Sequence, residues 1–215
     1  MNEKFEMHDI NLLENLMKNN RLPHGIILES NKSKLLQKYV NLICQWTVCR
    51  EKDNPCGKCS QCIKVSKGVH PDIYTAKLSG KSEIVNIDEI RNICNDVYIK
   101  PNESNTKIYI IPNADKMQSK TQNAFLKVLE EPPQNVIFIL CCSNSQGLLK
   151  TILSRTNIYR LDNTDINFDV SDKVNDIAIK IVEAVPENKG YKLLCAVSKF
   201  SDRVFAKNVV DVLLI

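Results

Sequence analysis

Four thiols crowd one short stretch of this chain: Cys49, Cys56, Cys59 and Cys62 lie within fourteen residues and include two overlapping C-x2-C steps. Thiolate is a soft ligand, and C-x2-C lets both sulfurs of a turn face one ion, so the set suits a tetrahedral zinc. Gly57, directly after Cys56, lets the backbone fold tightly around the metal. Four protein ligands leave no open position, so the expected zinc is one structural ion and not a catalytic one. The segment from Asn54 to Lys67 is small and polar and cannot build a core alone. A structural zinc can supply such a segment with roughly 10–16 kcal/mol of apparent binding energy. An iron–sulfur cluster fits less well without a fourth Cys-Pro step, and four grouped thiols argue against a redox pair. The remaining cysteines, Cys44, Cys94, Cys141, Cys142 and Cys195, stand singly or in apolar stretches, where cysteine is a small core residue.

A second place where chemistry is expected carries the wrong residues. Ile26 to Leu28 reads as a short buried strand, and a helical pattern follows through Leu35, Leu36, Tyr39, Val40 and Ile43. Nucleotide-binding α/β domains put their phosphate loop between such a strand and helix. A working loop needs G-x-x-x-x-G-K-[ST], because glycines let backbone N–H groups surround the phosphates while Lys and Ser/Thr meet phosphate and Mg²⁺. Here the loop is Ser30-Asn31-Lys32-Ser33-Lys34, with no glycine between Gly25 and Gly57. Lys32 and Lys34 can meet an anion at a helix N-terminus, although solvated lysines are the commoner reading. After the apolar strand Ile108 to Ile111 an ATPase wants an Asp for Mg²⁺ and a Glu to orient water. This chain has Pro112-Asn113-Ala114-Asp115, and an amide and a methyl cannot do that chemistry. The expectation is no ATP hydrolysis and no bound ATP.

The elements that position these residues alternate. An amphipathic helix carries Ile10, Leu12, Leu13 and Leu16 on one face; Asp72 to Ala76 reads as a strand; Ile87 to Tyr98 reads as a helix begun by Asn86 or Asp88. Gln118 to Glu130 is a helix with Met117, Ala124, Phe125, Val128 and Leu129 on one face, stopped by Pro132-Pro133. Val136 to Cys141 is continuously apolar, as a parallel strand covered on both sides must be, and Asn157 to Arg160 reads as a further core strand. Glu130 and Glu131 read as the helix end and not as an acid/base pair, because consecutive residues point apart. His70-Pro71 reads as a turn and His24 as a strand cap. The alternation predicts an α/β domain with a parallel sheet over residues 1–163, and the purely helical pattern of 164–215 predicts a small second domain. The apolar end, Val209 to Ile215, implies that something covers it, either further chain or burial of a last helix.

Composition excludes several classes. Of 215 residues, 43% are hydrophobic and 25% charged, an ordinary globular balance. The net charge of +4 is too small to argue nucleic-acid binding by itself. The longest apolar run, Val136 to Cys142, falls far short of the roughly 20 residues a membrane helix needs. Nine cysteines, an odd number, and no export signal read in MNEKFEMHDI predict a reducing cytoplasm without a disulfide framework.

Several segments together are familiar: Arg21-Leu-Pro-His-Gly25, the Cys56–Cys62 run, Gly68-Val-His-Pro-Asp72, Ile87-Asp-Glu-Ile-Arg91, Asn123-Ala-Phe-Leu-Lys-Val-Leu-Glu-Glu-Pro-Pro133 and Thr151-Ile-Leu-Ser-Arg-Thr156. On these the chain resembles the delta-prime subunits of bacterial DNA polymerase III clamp loaders, in the AAA+ superfamily. The resemblance covers about Arg21 to Leu161. It implies a RecA-like domain with a zinc insertion, a helical lid over 164–215, and a C-terminal collar absent from this sequence. It implies a subunit that hydrolyses no ATP itself, helps load the sliding clamp onto primed DNA, and works in a hetero-oligomer with the gamma/tau ATPase and delta subunits. The isolated chain is then not an enzyme, although as a holoenzyme subunit it falls with DNA-directed DNA polymerase. The implied place is the cytoplasm, with the nucleoid-associated replication machinery and no membrane. Family members carry a Ser-Arg-Cys motif whose arginine reaches a neighbour's ATP site. The matching residues are Ser154, Arg155 and, in a departure from the pattern, Thr156. A second departure is Lys150, where relatives often have Pro. A gamma/tau-type ATPase and a zinc-dependent nucleic-acid-binding protein are the rival readings.

Overall fold

The computed structural model describes residues 12–19, 21–51, 54–80 and 82–161. The expected domain boundary and lid, Ile10, Cys195 and the apolar end at Val209 to Ile215 lie outside the described residues.

The chain order is α1 (12–18), β1 (Gly25–Glu29), α2 (Ser33–Val48), α3 (Ser60–Ser66), β2 (Ile73–Thr75), β3 (Leu78–Ser79), β4 (Ile84–Val85), α4 (Ile87–Asp96), β5 (Lys107–Ile111), α5 (Ser119–Glu130), β6 (Val136–Cys142), α6 (Lys150–Leu153) and β7 (Asn157–Arg160). Five strands form one sheet in the order β2-β5-β6-β1-β7, parallel at every pairing. A short antiparallel hairpin, β3-β4, stands apart from it. The parallel α/β architecture is the one expected. Among the described residues no helix is long and apolar enough to cross a membrane.

Side chains of a strand alternate between faces, and here both faces are covered, so the strands read as unbroken apolar runs. On one face Ile26, Leu28, Ile108, Ile110, Ile137 and Ile139 pack with Leu13 and Met17 of α1 and Tyr39, Val40 and Ile43 of α2. On the other, Ile27, Tyr109, Ile111, Phe138 and Leu140 pack with Ile90 and Ile93 of α4 and Phe125, Val128 and Leu129 of α5. Phe138 anchors this second core, with Phe125 edge-on at 5.1 Å and Tyr109 stacked at 5.7 Å between ring centroids. The cap of α4 is Asn86, whose side chain accepts from the Glu89 amide.

Two expectations need correction. Leu12 is 41% exposed while Leu13 and Met17 are buried; a helical step of about 100° before Leu13 puts Leu12 on the flank of the apolar face. The strand at Asn157–Arg160 is not central. Among the described residues it pairs only with β1 and stands last in the sheet; its ends are exposed while Tyr159 is buried.

Candidate functional site

The four clustered cysteines meet because three structural events coincide. Cys49 is the C-cap of α2, its amide bonded to the Gln45 carbonyl; Gly57 turns the chain at φ +67°; Cys59 is the N-cap of α3. The four Sγ atoms lie within 4.8 Å of one another. Four sulfurs about 2.3 Å from one zinc sit roughly 3.8 Å apart, so the set fits a tetrahedral ion after a small contraction. Backbone amides already face the sulfurs: Cys56 N to Cys49 Sγ at 3.5 Å, Cys59 N to Cys56 Sγ at 3.3 Å, Cys62 N to Cys59 Sγ at 3.5 Å. The amides of Lys58 and Cys59 lower the Cys56 thiol to about 7, whereas burial pushes Cys62 up. The group can hold a metal ion, and its soft sulfur donors are of the kind that zinc takes. In the other described cysteines burial acts upward: Cys44, Cys141 and Cys142 are pushed up to about 12, and Cys94 is raised as well.

The module is tied to the sheet by a polar chain. Gln45 of α2 donates to Ser66 Oγ at 2.8 Å. Lys64 pairs with Glu103 at 2.6 Å, and Arg50 donates to the Glu103 carbonyl at 2.6 Å. Gln61 Oε1 meets His70 Nε2 at 2.6 Å, and His70 Nδ1 accepts the Asp72 amide at 3.1 Å. The Asp72 carboxylate accepts the Glu103 amide at 2.7 Å and the Ser104 amide at 2.6 Å. Burial lowers the His70 pKa, opposed by the nearby Asp72 and Glu103 carboxylates. Burial alone would raise Asp72, but the amides of Asn102, Ser104 and Glu103 together hold it below its ordinary value. His70-Pro71 is therefore more than a turn, since its ring bridges α3 to the start of β2.

At the carboxyl ends of the strands lies a cleft of about 340 Å³, lined by Ser30, Asn31, Ser33, Pro112, Asn113 and Ser143 among others. Ser30 Oγ accepts the Lys32 amide at 3.0 Å, and Lys32 is the N-cap of α2 without a side-chain cap bond. Lys32 and Lys34 are exposed and do not line the cleft; Lys116 does. Asn113 takes a left-handed conformation and donates to the Glu83 carbonyl at 2.9 Å, while Ala114 is fully buried. Asp115 is turned away to the end of β6, accepting Ser143 Oγ at 2.6 Å.

The third constellation is a corner between α6 and β7. Arg155 Nη1 donates to the Thr151 carbonyl at 2.9 Å and Ser154 Oγ at 3.2 Å, and Nη2 lies 2.9 Å from Glu130 Oε1. The Arg155 side chain is 34% exposed. Thr156 is buried, its hydroxyl donating to the Ile152 carbonyl at 2.8 Å. Gly25 makes this approach possible, because a Cβ there would stand 2.7 Å from Thr156 Cγ2 and 3.3 Å from the Arg155 carbonyl. Gln122 of α5 fixes the entry to α6, donating to the Met117 and Gly147 carbonyls and accepting the Leu149 amide at 2.8 Å.

The family model described as DNA polymerase III, delta subunit, matches residues 6–165. The chain belongs to this family. Similar proteins include the DNA polymerase III subunit delta' of Buchnera aphidicola subsp. Schizaphis graminum, 34% identical over 140 residues that make up 64% of this chain and 42% of the relative. The subunit delta' of Bacillus subtilis is 32% identical over 145 residues, 67% of this chain and 44% of the relative. The subunit gamma of the same Buchnera is 34% identical over 108 residues, 50% of this chain and 29% of the relative. The chain thus spans less than half the length of these relatives. In fold it is similar to a gamma subunit-related protein of Thermotoga maritima, at TM-score 0.50 and 18% identity, over 94% of this chain and 77% of that one. The resemblance to delta' subunits read from the motifs is borne out.

Within the family frame, three contacts were missed by sequence reasoning. Glu130, read only as a helix end, faces Arg155; Lys116 and not Lys32 or Lys34 borders the cleft; Gln122 locks the loop before α6. The last carried a signal, since a glutamine facing the apolar side of an amphipathic helix must find partners there.

Proposed function

We propose that this chain is the AAA+ region of a delta'-type subunit of the DNA polymerase III clamp loader, acting in DNA replication without turning over ATP itself. In this reading it completes a hetero-oligomeric ring with the gamma/tau ATPase and delta subunits, and through that assembly helps place the sliding clamp on primed DNA. It works in the cytoplasm with the replication machinery, and as a holoenzyme subunit falls under DNA-directed DNA polymerase. Arg155, with Ser154 and Thr156 as its neighbours, is supplied to the ATP site of an adjacent subunit.

The observation that carries the reading is the anchored, part-exposed guanidinium of Arg155. One nitrogen is fixed to its own turn, so the charge is held in place and not free to wander. Brought against a γ-phosphate, such a cation stabilises charge that grows in the transition state, and arginine fingers of this type give about 10³–10⁵ in rate. The cleft of the chain itself supports the same division of labour. Asn113 and Ala114 offer no carboxylate for Mg²⁺, and Asp115 is occupied by Ser143. In the cysteine module Cys49, Cys56, Cys59 and Cys62 would hold one structural zinc, which supplies folding energy and no reaction step.

The test is ATP turnover by a loader reconstituted from the full-length protein and its ATPase partners. Arg155→Ala is expected to lower turnover by about 10³ with assembly intact, while an ATP analogue binds the partners and not this subunit. Tight analogue binding by this subunit would favour a gamma-type ATPase instead.

A further inference from the structure

We propose that Glu130 is the positioning residue of Arg155: its carboxylate holds the guanidinium at rest and gives it up to the phosphate of the neighbouring subunit's nucleotide. The inference rests on the reading of Arg155 as a residue supplied in trans, and adds how that residue is kept and released.

The geometry separates the guanidinium into an anchored side and an exchangeable side. Nη1 is hydrogen-bonded to the Thr151 carbonyl and Ser154 Oγ, both within the turn that carries Arg155. Nη2 instead lies 2.9 Å from Glu130 Oε1, on a different element. Loss of the Glu130 contact therefore leaves the arginine still tethered by Nη1. Glu130 is the last residue of α5, whose axis is set by Phe125, Val128 and Leu129 in the core, and Pro132 ends the helix just beyond. The carboxylate is thus presented from a rigid support. Glu131, next along the chain, caps the same helix and does not share the contact.

Burial decides how tightly the pair holds. The two side chains are 34% and 49% exposed. Water competes for both partners at such a site, so the pair is weak and its exchange is cheap. A fully buried pair would hold the arginine too firmly to be borrowed, because breaking it strands a charge. A γ-phosphate offers more charge and more acceptor oxygens than one carboxylate and wins the exchange. Before that phosphate arrives, Glu130 neutralises the arginine and keeps it from other anions. The contact is then a threshold set on the trans-acting charge.

The test uses the reconstituted loader with Glu130→Gln, Arg155→Ala, the double variant, and Glu131→Gln as a control of equal charge change. Glu130→Gln is expected to lower the half-saturating ATP concentration about two- to five-fold, the range of an exposed ion pair. It raises DNA-independent turnover by a similar factor and leaves the fully stimulated maximum unchanged. Glu131→Gln does neither, and the double variant is indistinguishable from Arg155→Ala. A Glu130→Gln loader with unchanged half-saturation or reduced turnover would overturn the proposal, as would a shift that persists in the Arg155→Ala background. A fully active Arg155→Ala loader would instead overturn the reading of Arg155 itself.

Discussion

The four clustered thiols and the Arg155 guanidinium both lie outside the two apolar cores, yet they are held by different things. In the module, four thiols are drawn within 4.8 Å by caps and a turn. Backbone amides face three of the sulfurs, but four thiolates at that distance repel one another, and a bound cation would balance them. In the corner, the charged group is already satisfied by its own chain, through Thr151, Ser154 and Glu130. In the proposed reading the module is completed by its ion and stays closed, whereas the corner is complete at rest and is lent to a neighbouring subunit. A region of the first kind owes its stability to its ligand, and a region of the second kind owes it to neighbours that must be cheap to replace.

The largest effect expected from this contrast follows removal of the metal. Stripping zinc with a chelator, or Cys59→Ser, is expected to unfold residues 54–67, a loss on the order of 10 kcal/mol of binding energy. Metal analysis gives one zinc per chain before and none after, and protease cuts appear in that segment while the α6 corner stays protected. Cuts at the corner as well would mean that the two regions are not independent.

Gly25→Ala acts on the corner alone. The new Cβ would press on Thr156 Cγ2 at 2.7 Å, and overpacking of this kind costs about 1–3 kcal/mol. Thermal unfolding shows a lower midpoint, zinc content is unchanged, and the shifted Arg155 activates a partner ATPase less. Thr156→Val is milder. It removes the hydroxyl bond to the Ile152 carbonyl, worth about 1 kcal/mol, and a denaturant midpoint shift of that size without change in zinc content is expected.

The smallest effect is a pH dependence located between the module and the sheet. His70 has a depressed folded pKa, so the unfolded chain takes up its proton first as pH falls. Stability present above about pH 6.5 is therefore lost as pH drops through the folded value. Asp72, depressed by three amides, adds a further loss below about pH 4. Denaturant midpoints measured from pH 7.5 to 5 should fall with acid, and His70→Gln should remove the upper part of the slope.

The sheet was legible because its strands are covered on both faces. Val136 to Cys142 has no choice of side, and its seven buried positions follow from its apolar run. The cysteines were legible because their partners are close in sequence. The hairpin β3-β4 was not: two residues per strand around Gly80 and Glu83, both at positive φ, leave no periodicity to read. The Arg155–Glu130 contact joins the end of one helix to the turn after another, so it depends on how α5 and α6 pack and not on local spacing. His70 read as a turn because its ring partner, Gln61, lies on α3, a seven-residue helix too short for its faces to be read from the sequence.

The measurement that bears most directly on the account is a titration of the partner ATPase subunits with full-length protein, wild type, Arg155→Ala or Arg155→Lys, with complex formation followed in parallel by gel filtration. The account predicts that all three assemble alike, that wild type raises DNA- and clamp-stimulated turnover, that Arg155→Ala fails by about 10³, and that Arg155→Lys recovers little because a point charge does not replace the planar fork. Equal turnover with wild type and Arg155→Ala in equally assembled complexes would contradict it.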